Sequence, residues 1–98
     1  MPPPKAFEWD EHKNQENIRR HGISFERAKT IFDGIVHSEI DDRSEYGEVR
    51  EKSIGLLEGV VVAVVIHTDR NGKIRIISAR KADKQERMDY YAYARTYY

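Results

Sequence analysis

The sequence predicts an α+β fold, and three observations lead to this class. Apolar residues recur at helical spacing near both ends of the chain, a run of strand-like segments lies between them, and two turn-forming dipeptides separate the last three strands. The dipeptides are Glu58-Gly59 and Asn71-Gly72. Asparagine followed by glycine is typical of a tight antiparallel hairpin. The predicted order is β-α-α-β-β-β-β-α, an antiparallel sheet with the two N-terminal helices on one face and a C-terminal helix.

The N-terminal third carries the signals of one strand and two helices. Residues 1–6 are predicted to be a flexible arm, and Phe7-Glu8-Trp9 alternates as a short strand does. Asp10 is a suitable N-cap for a helix that ends before Gly22. That helix is predicted over Glu11 to His21, with a thin buried stripe of Asn14, Ile18 and His21.

The second helix is predicted to begin after Ser24 and to end at Gly34. Its apolar residues at helical spacing place it against the core; they are Phe25, Ala28, Ile31 and Phe32.

Four strands and a last helix are predicted after Ile35. The strands are Val36–Ile40, Val49–Leu57, Val60–Thr68 and Lys73–Arg80, and the polar stretch from Asp41 to Gly47 is predicted to be an exposed loop. Asp83 is predicted to cap the final helix, and Glu86 three residues later has capping-box spacing.

Composition limits the classes of function. A chain of 98 residues is predicted to form a single domain, and the absence of cysteine excludes disulfides, thiolate nucleophiles and cysteine-bound zinc. No metal and no other cofactor is expected. The longest apolar run, Val60 to Ile66, is far shorter than the roughly 20 residues of a membrane span. We therefore expect a cytoplasmic protein with no membrane association.

The charges are segregated along the chain although the formal net charge is zero. The stretch from Glu39 to Glu58 has a net charge of −4, and that from Asp69 to Tyr98 has a net charge of +4. The basic end could hold phosphates, or it could pair with the acidic stretch in the fold.

Strand register gathers the basic residues. If both dipeptides form two-residue loops, His67 lies opposite Ile76 on one side and Arg50 on the other. Alternation of side chains then predicts a basic sheet face, whose members are Arg50, Lys52, His67, Ser78 and Arg80.

This face carries groups that RNA cleavage without a metal requires: a base, an acid and cations to stabilise the phosphorane. His67 is the candidate base, since flanking arginines favour its neutral form. The alternative is that His67 is an ordinary hydrogen-bonded surface residue at a strand end. For Glu86, helix capping is favoured over catalysis. Lys13 could belong to a solvated helix face or contact phosphate.

A family resemblance rests on three motifs in order: Phe-Glu-Trp-Asp (7 to 10), Arg-Arg-His-Gly-Ile-Ser-Phe-Glu-Arg-Ala (19 to 28), and Ile-Arg-Ile-Ile-Ser-Ala-Arg-Lys-Ala (74 to 82) leading to Glu86 and Tyr90. These motifs resemble the BrnT toxins of type II toxin–antitoxin systems. The resemblance implies a RelE-like ribonuclease fold and inhibition of translation by RNA cleavage. It also implies neutralisation by a BrnA-like ribbon-helix-helix antitoxin, through which the complex binds operator DNA.

Together, the resemblance and the predicted face give the candidate site. The candidate catalytic residues are His67, Arg50, Arg80, Arg75 and Glu48. The candidate RNA-binding residues are Lys52, Ser78, Lys81, Tyr90 and Lys13. The resemblance leaves open which residue is the base and which the acid. Glu51 follows Arg50 where the family usually has an aromatic residue, and the tyrosine-rich tail after Ala94 also departs from the family pattern. The alternative function is a non-enzymatic nucleic-acid-binding or adaptor domain that uses the same face.

Overall fold

A computed structural model of the chain describes residues 6–41 and 47–97. Five strands and three helices occur in the predicted order, so the α+β class is confirmed. The strands are β1 (Phe7–Trp9), β2 (His37–Asp41), β3 (Arg50–Leu57), β4 (Val61–Arg70) and β5 (Lys73–Lys81). The helices are α1 (Glu11–His21), α2 (Phe25–Ala28) and α3 (Lys84–Ala94), and 3₁₀ helices follow α2 (Lys29–Asp33) and α3 (Arg95–Tyr97). Most of the predicted arm, residues 1–5, and the middle of the predicted loop, residues 42–46, lie outside the described residues.

Helix α1 has the predicted bounds because both of its ends carry the expected caps. The Asp10 carboxylate accepts a hydrogen bond from the Lys13 backbone N–H at 3.1 Å, which lowers the pKa of Asp10. Gly22 adopts the left-handed conformation with φ 71°. The predicted buried stripe is confirmed for Asn14 but wrong for Ile18 and His21. The buried residues of α1 are Asn14 and Asn17, while Ile18 and His21 are exposed.

Asn17 is buried because its side chain forms hydrogen bonds with the backbone at the edge of the sheet, as a neighbouring strand would. Within the described residues, β1 pairs with residues 74–76 of β5, so the next part of that strand has backbone groups without a β1 partner. The Asn17 amide donates to Ala79 O at 2.8 Å and accepts from Ala79 N at 3.1 Å. Its Nδ2 also donates to Ile23 O. Helix α1 therefore covers the edge of the sheet with a side-chain amide, as buried backbone groups require.

Helix α2 is shorter than predicted. Ser24 caps it as expected, accepting from Arg27 N at 3.1 Å, but after Ala28 the chain tightens into the 3₁₀ helix. A close approach of this segment to β3 accompanies the change, since a Cβ at Gly55 would lie 3.0 Å from both Cβ and the carbonyl oxygen of Ile31. Phe25, Ala28 and Ile31 are buried as predicted.

The sheet has the strand order β1-β5-β4-β3-β2. It is mixed rather than fully antiparallel, because β1 pairs with β5 in parallel. One face packs against α2 and its 3₁₀ extension through Leu57, Ala63, Val65, Ile76 and Ala79. The other face packs against α3 through Ile54, Val62 and Val64. We call these the α2 face and the α3 face.

Both hairpin registers depart by one residue from the prediction. The β3–β4 connection has three residues, Glu58 to Val60, so Arg50 lies opposite Thr68 and Glu51 lies opposite His67. The Asn71-Gly72 loop has two residues as predicted, and His67 lies opposite Ile76. A bulge next to this pair then places Ser78 opposite Ile66 and Arg80 opposite Val64.

The changed pairings of β3 with β4 and of β5 with β4 leave most of the predicted basic face intact but remove one member from it. Arg50, Lys52, Ser78 and Arg80 do share a face, the α3 face, as predicted. The prediction that His67 lies with them is wrong. His67 lies on the α2 face and is 5% exposed. One extra loop residue is enough to cause this, because a one-residue slip moves a side chain to the opposite face.

Candidate functional site

The candidate site is a group of basic side chains on the α3 face, beside the part that α3 covers. The register adds Arg75 to this face, since Arg75 lies opposite Thr68. We define the basic half-face by these residues: Arg50, Lys52, Arg75, Ser78 and Arg80. The side chains of Lys52, Arg75 and Arg80 are 23%, 27% and 39% exposed, so solvent reaches all three.

Glu86 is the centre of this group. Its two carboxylate oxygens accept hydrogen bonds from Arg80 Nη1 at 2.7 Å and Arg80 Nη2 at 2.9 Å. Oε2 also lies 2.8 Å from Lys52 Nζ. The side chain is 9% exposed, and its place in the first turn of α3 fixes its position. One carboxylate therefore joins cations from β3 and β5 across β4.

The capping box predicted for α3 is present and orients this carboxylate. Glu86 N donates to Asp83 Oδ1 at 2.8 Å, and Asp83 N donates to Glu86 Oε1 at 2.9 Å. Helix capping is therefore confirmed. The same oxygens meet Arg80 and Lys52, so capping and ion pairing are combined in one side chain.

The electrostatics follow from these contacts. The Arg80 hydrogen bonds are the main cause of a strongly lowered pKa of Glu86, and Lys52 adds to the effect. The same bonds raise the pKa of Arg80. Glu86 is therefore a carboxylate, and Arg80 a cation, at neutral pH.

Two further acidic residues pair with the basic half-face at longer range. Glu8 lies 3.8 Å from Arg75 Nη1, and Glu39 lies 3.9 Å from Lys52 Nζ. Such partly exposed ion pairs stabilise the folded state by about 0–1 kcal/mol each, so an anion can take the place of the carboxylate with little loss of stability. The bidentate contact of Arg80 with Glu86 is the tighter of these interactions.

The remaining candidate residues lie in different surroundings. Glu48 pairs with Arg70 at 3.0 Å, and Arg70 is six residues along β4 from Val64, the partner of Arg80, or about 20 Å at about 3.3 Å per residue. Lys81 lies opposite Ala63 and thus on the α2 face. Lys13 lies with Ser78 around a small hollow between α1 and β5.

Tyr90 does not offer a ring to RNA. It is 3% exposed, packs in the core beneath α3, and its hydroxyl donates to Ile35 O at 2.9 Å. The prediction that it contacts RNA is corrected on this ground, since a buried ring cannot stack on a base. It is a core residue of the α3 face.

His67 has a satisfied and enclosed environment. Its Nε2 is 2.6 Å from Ser53 Oγ, which is in turn 2.7 Å from Ser38 Oγ. The Phe32 ring meets the imidazole edge-on with centroids 5.1 Å apart, and Glu51 Oε2 lies 3.8 Å from Nε2. The arrangement agrees with the alternative considered for this residue in its hydrogen bonding, but not in its location, because the side chain is buried and not on the surface.

Sequence patterns predicted four members of the basic half-face, all except Arg75, but not its centre. The spacing from Asp83 to Glu86 predicts a cap, and no periodicity relates Glu86 to Lys52. The contact arises because α3 turns back across the sheet after Ala82, whose N–H donates to Val62 O. Sequence patterns also do not predict that His37 joins Tyr93 and Tyr97 in one ring cluster.

Within the described residues, no helix has the length and apolar character that would let it cross a membrane. The geometry defines a small α+β domain with a partly exposed sheet face on which arginine and lysine side chains pair with carboxylates. A family model described as "Ribonuclease toxin, BrnT, of type II toxin-antitoxin system" matches residues 9–86. The chain therefore belongs to this family of ribonuclease toxins, and the resemblance inferred from its motifs is confirmed.

The fold is similar to that of a solved toxin. The 1.1 Å crystal structure of the Brucella abortus ribonuclease toxin BrnT matches with a TM-score of 0.61 and 24% sequence identity. The match covers 83% of this chain and 100% of that chain. A comparison with curated proteins finds no match.

Proposed function

We propose that this chain is the cytoplasmic toxin of its pair, that it cleaves RNA on the basic half-face by metal-independent acid–base chemistry, and that it thereby inhibits translation. Its partner is a BrnA-like antitoxin with a ribbon-helix-helix domain, through which the pair binds operator DNA. The observation that carries the proposal is the contact of Lys52 and Arg80 with one carboxylate, in a member of a ribonuclease toxin family.

The phosphate of the scissile bond binds between Lys52 and Arg80. An incoming phosphate competes for Lys52 with Glu39, which is 57% exposed and 3.9 Å away, and this exchange costs little. Arg75 and Arg50 lie further along the same face and contact neighbouring phosphates, and Ser78 can donate a hydrogen bond. The cations also stabilise the charge that develops on the phosphorane.

Glu86 and Lys52 supply the acid–base pair. Glu86 accepts the proton of the attacking 2′-hydroxyl, and the Lys52 ammonium donates a proton to the leaving 5′-oxygen. When the phosphate draws Arg80 and Lys52 away, the cause of the low pKa of Glu86 is weakened and its basicity rises. When the product leaves, Lys52 returns to its contact with Glu86, 2.8 Å long in the free protein, and the proton passes from Glu86 to Lys52, which restores both groups.

His67 supports the fold in this proposal. A base must come within hydrogen-bond distance of the proton it removes, and a buried side chain on the α2 face does not touch RNA bound on the α3 face. Glu48, paired with Arg70, acts away from the reacting centre.

Binding of nucleic acid without cleavage is the second candidate function. The burial of His67 favours it, because among the described residues the basic half-face then lacks the imidazole that the sequence suggested. This candidate predicts salt-dependent RNA binding with no product.

The test uses purified, antitoxin-free protein with RNA in EDTA. Lys52→Arg keeps the positive charge but cannot act as an acid, because guanidinium is not deprotonated in proteins. We expect Lys52→Arg to bind RNA within about threefold of wild type but to cleave about 10²-fold more slowly, the contribution of one acid–base group. Lys52→Ala should lose both properties. Lys29→Ala, which removes a charge at the Glu26 ion pair on the helical surface, is the control.

Thermal unfolding of each variant checks that the fold is intact. Cleavage by Lys52→Arg at the wild-type rate would disprove the role of Lys52 as acid. If the wild-type protein binds RNA without cutting it, cleavage is disproved and binding without cleavage remains as the function. Growth arrest on expression, relieved by co-expression of the antitoxin, tests the toxin role in cells.

A further inference from the structure

We propose that His37, Tyr93 and Tyr97 form a stacking platform for an unpaired base of the RNA strand whose phosphates bind the basic half-face. This inference rests on the proposed function and adds to it the substrate class, single-stranded RNA. We call these three residues the aromatic platform.

The three rings form a continuous series from β2 to the C-terminal 3₁₀ helix. The His37 and Tyr93 ring centroids are 4.6 Å apart with an interplanar angle of 35°, and those of Tyr93 and Tyr97 are 5.4 Å apart at 64°. The two tyrosine hydroxyls lie 2.8 Å apart, which raises the pKa of Tyr93. Thr96 Oγ1 donates to Tyr93 O at 2.7 Å and fixes the turn that carries Tyr97. The rings are thus held in place before any ligand arrives, which lowers the entropy cost of binding.

The platform lies next to the basic half-face. His37 is opposite Ile54 and Glu39 is opposite Lys52, so His37 is on the α3 face two strand positions, or about 7 Å, from Lys52. Tyr97 is 59% exposed at the outer end of the series. Tyr97 follows Glu86, the ion-pair partner of Lys52, by eleven residues, or roughly 16 Å at about 1.5 Å per residue, so the stacked base lies about two or three nucleotides from a phosphate at Lys52.

The chemistry of these groups favours unpaired RNA over a protein partner. Sequence-tolerant binding of single strands combines cations along the backbone with aromatic rings on which bases stack, and both features occur side by side here. A base in a duplex is already stacked and paired, so it cannot use the platform. Tyr93 and Tyr97 lie beyond residues 9–86 that match the family model, whereas His37 lies within them.

The experiment measures binding of a short 2′-O-methyl RNA strand, which lacks the attacking hydroxyl and is not cleaved. We expect Tyr97→Ala to weaken binding about 5- to 100-fold, the range for loss of one stacked base. Tyr97→Phe keeps the ring and loses the hydroxyl contact, and it should bind within about twofold of wild type. Tyr91 belongs to α3, is 45% exposed and lies outside the platform, so Tyr91→Ala is the matched control and should bind as wild type does.

An abasic scan separates stacking from a structural effect. Removing the base that stacks should weaken binding by wild type and make the Tyr97→Ala substitution neutral. Equal loss by Tyr97→Ala on all strands, abasic strands included, would overturn the platform. So would wild-type affinity of Tyr97→Ala for the intact strand, or a loss of antitoxin binding with RNA binding unchanged. Absence of any RNA binding by the wild-type protein would instead overturn the proposed function itself, and the platform with it.

Discussion

Glu86 illustrates how one side chain can satisfy a local and a long-range requirement together. Its backbone and carboxylate complete the cap of α3 with Asp83, and the same carboxylate meets Arg80 and Lys52. The local part was predictable because capping depends on spacing alone. The ion pairs depend on where α3 lies over the sheet, which spacing does not specify.

Glu86→Gln separates these two contributions, since glutamine also suits this position of a capping box. We expect a loss of about 1–2 kcal/mol in the free energy of unfolding at pH 7, from the charged hydrogen bonds. Because the pKa of Glu86 is lowered in the folded state, its stabilising effect is complete above the ordinary value of 4.5 and is lost as the pH falls.

Urea unfolding at pH 7 and at pH 3 measures this effect. The difference in the free energy of unfolding between Glu86→Gln and wild type should be smaller at pH 3 than at pH 7. Glu16→Gln, at an exposed site of α1, is the control with little change at either pH. A difference of equal size at both pH values would contradict the assignment of the ion pairs.

At the scale of elements, the turns explain which registers could be predicted. Asn71 and Gly72 both have positive φ, 55° and 79°, and their loop has two residues as the dipeptide indicates. Glu58 and Gly59 also have positive φ, 52° and 76°, but Val60 follows them before pairing resumes at Val61. A dipeptide determines the turn and not the number of unpaired residues after it.

The contact of the segment after α2 with β3 gives a prediction for Gly55. A methyl group at this position would meet backbone and side chain of Ile31 at 3.0 Å, so Gly55→Ala should lower the free energy of unfolding by about 1–3 kcal/mol, as overpacked cores do. Gly34→Ala is the matched control, because a methyl group there would meet nothing within 4 Å and the φ of Gly34 is −128°. Denaturant titration measures both. Equal stability of the two variants would show that the segment after α2 can move away from β3 without a loss in the free energy of unfolding.

For the whole molecule, the sequence predicted the order of elements and most members of the site, and it failed where distant parts meet. Arg50, Lys52 and Arg80 were predicted on one face, although both hairpin registers were off by one residue. The two shifts cancel between β3 and β5 and leave only His67, on the strand between them, on the wrong face. The position of α3, and with it the contacts of Glu86 and Tyr93, depends on packing that periodicity does not encode.

The separation of the two faces predicts that stability and RNA binding can be changed independently. His67→Gln loses the 2.6 Å hydrogen bond to Ser53 in a buried site, and we expect about 1–3 kcal/mol lower stability. RNA affinity and cleavage by the folded fraction should stay within about twofold of wild type. Arg75→Ala should show the reverse pattern, because its 3.8 Å pair with Glu8 contributes only about 0–1 kcal/mol to stability. If a fully folded His67→Gln protein no longer cleaves RNA, then His67 takes part in the reaction and its purely structural role is disproved.

The bulge in β5 has one more consequence. Along an uninterrupted strand, odd and even residue numbers would face opposite ways, and Arg75 and Arg80 would be on different sides of the sheet. The extra residue, Ile77, changes the parity once, so both arginines face α3 while Ile76 and Ala79 stay in the other layer. Deleting Ile77 would remove only the bulge, because Ser78 would then follow Ile76 directly and regular alternation would keep Arg80 facing α3 and Ala79 in the other layer. At this position β5 can therefore lose a residue without changing its register with β4.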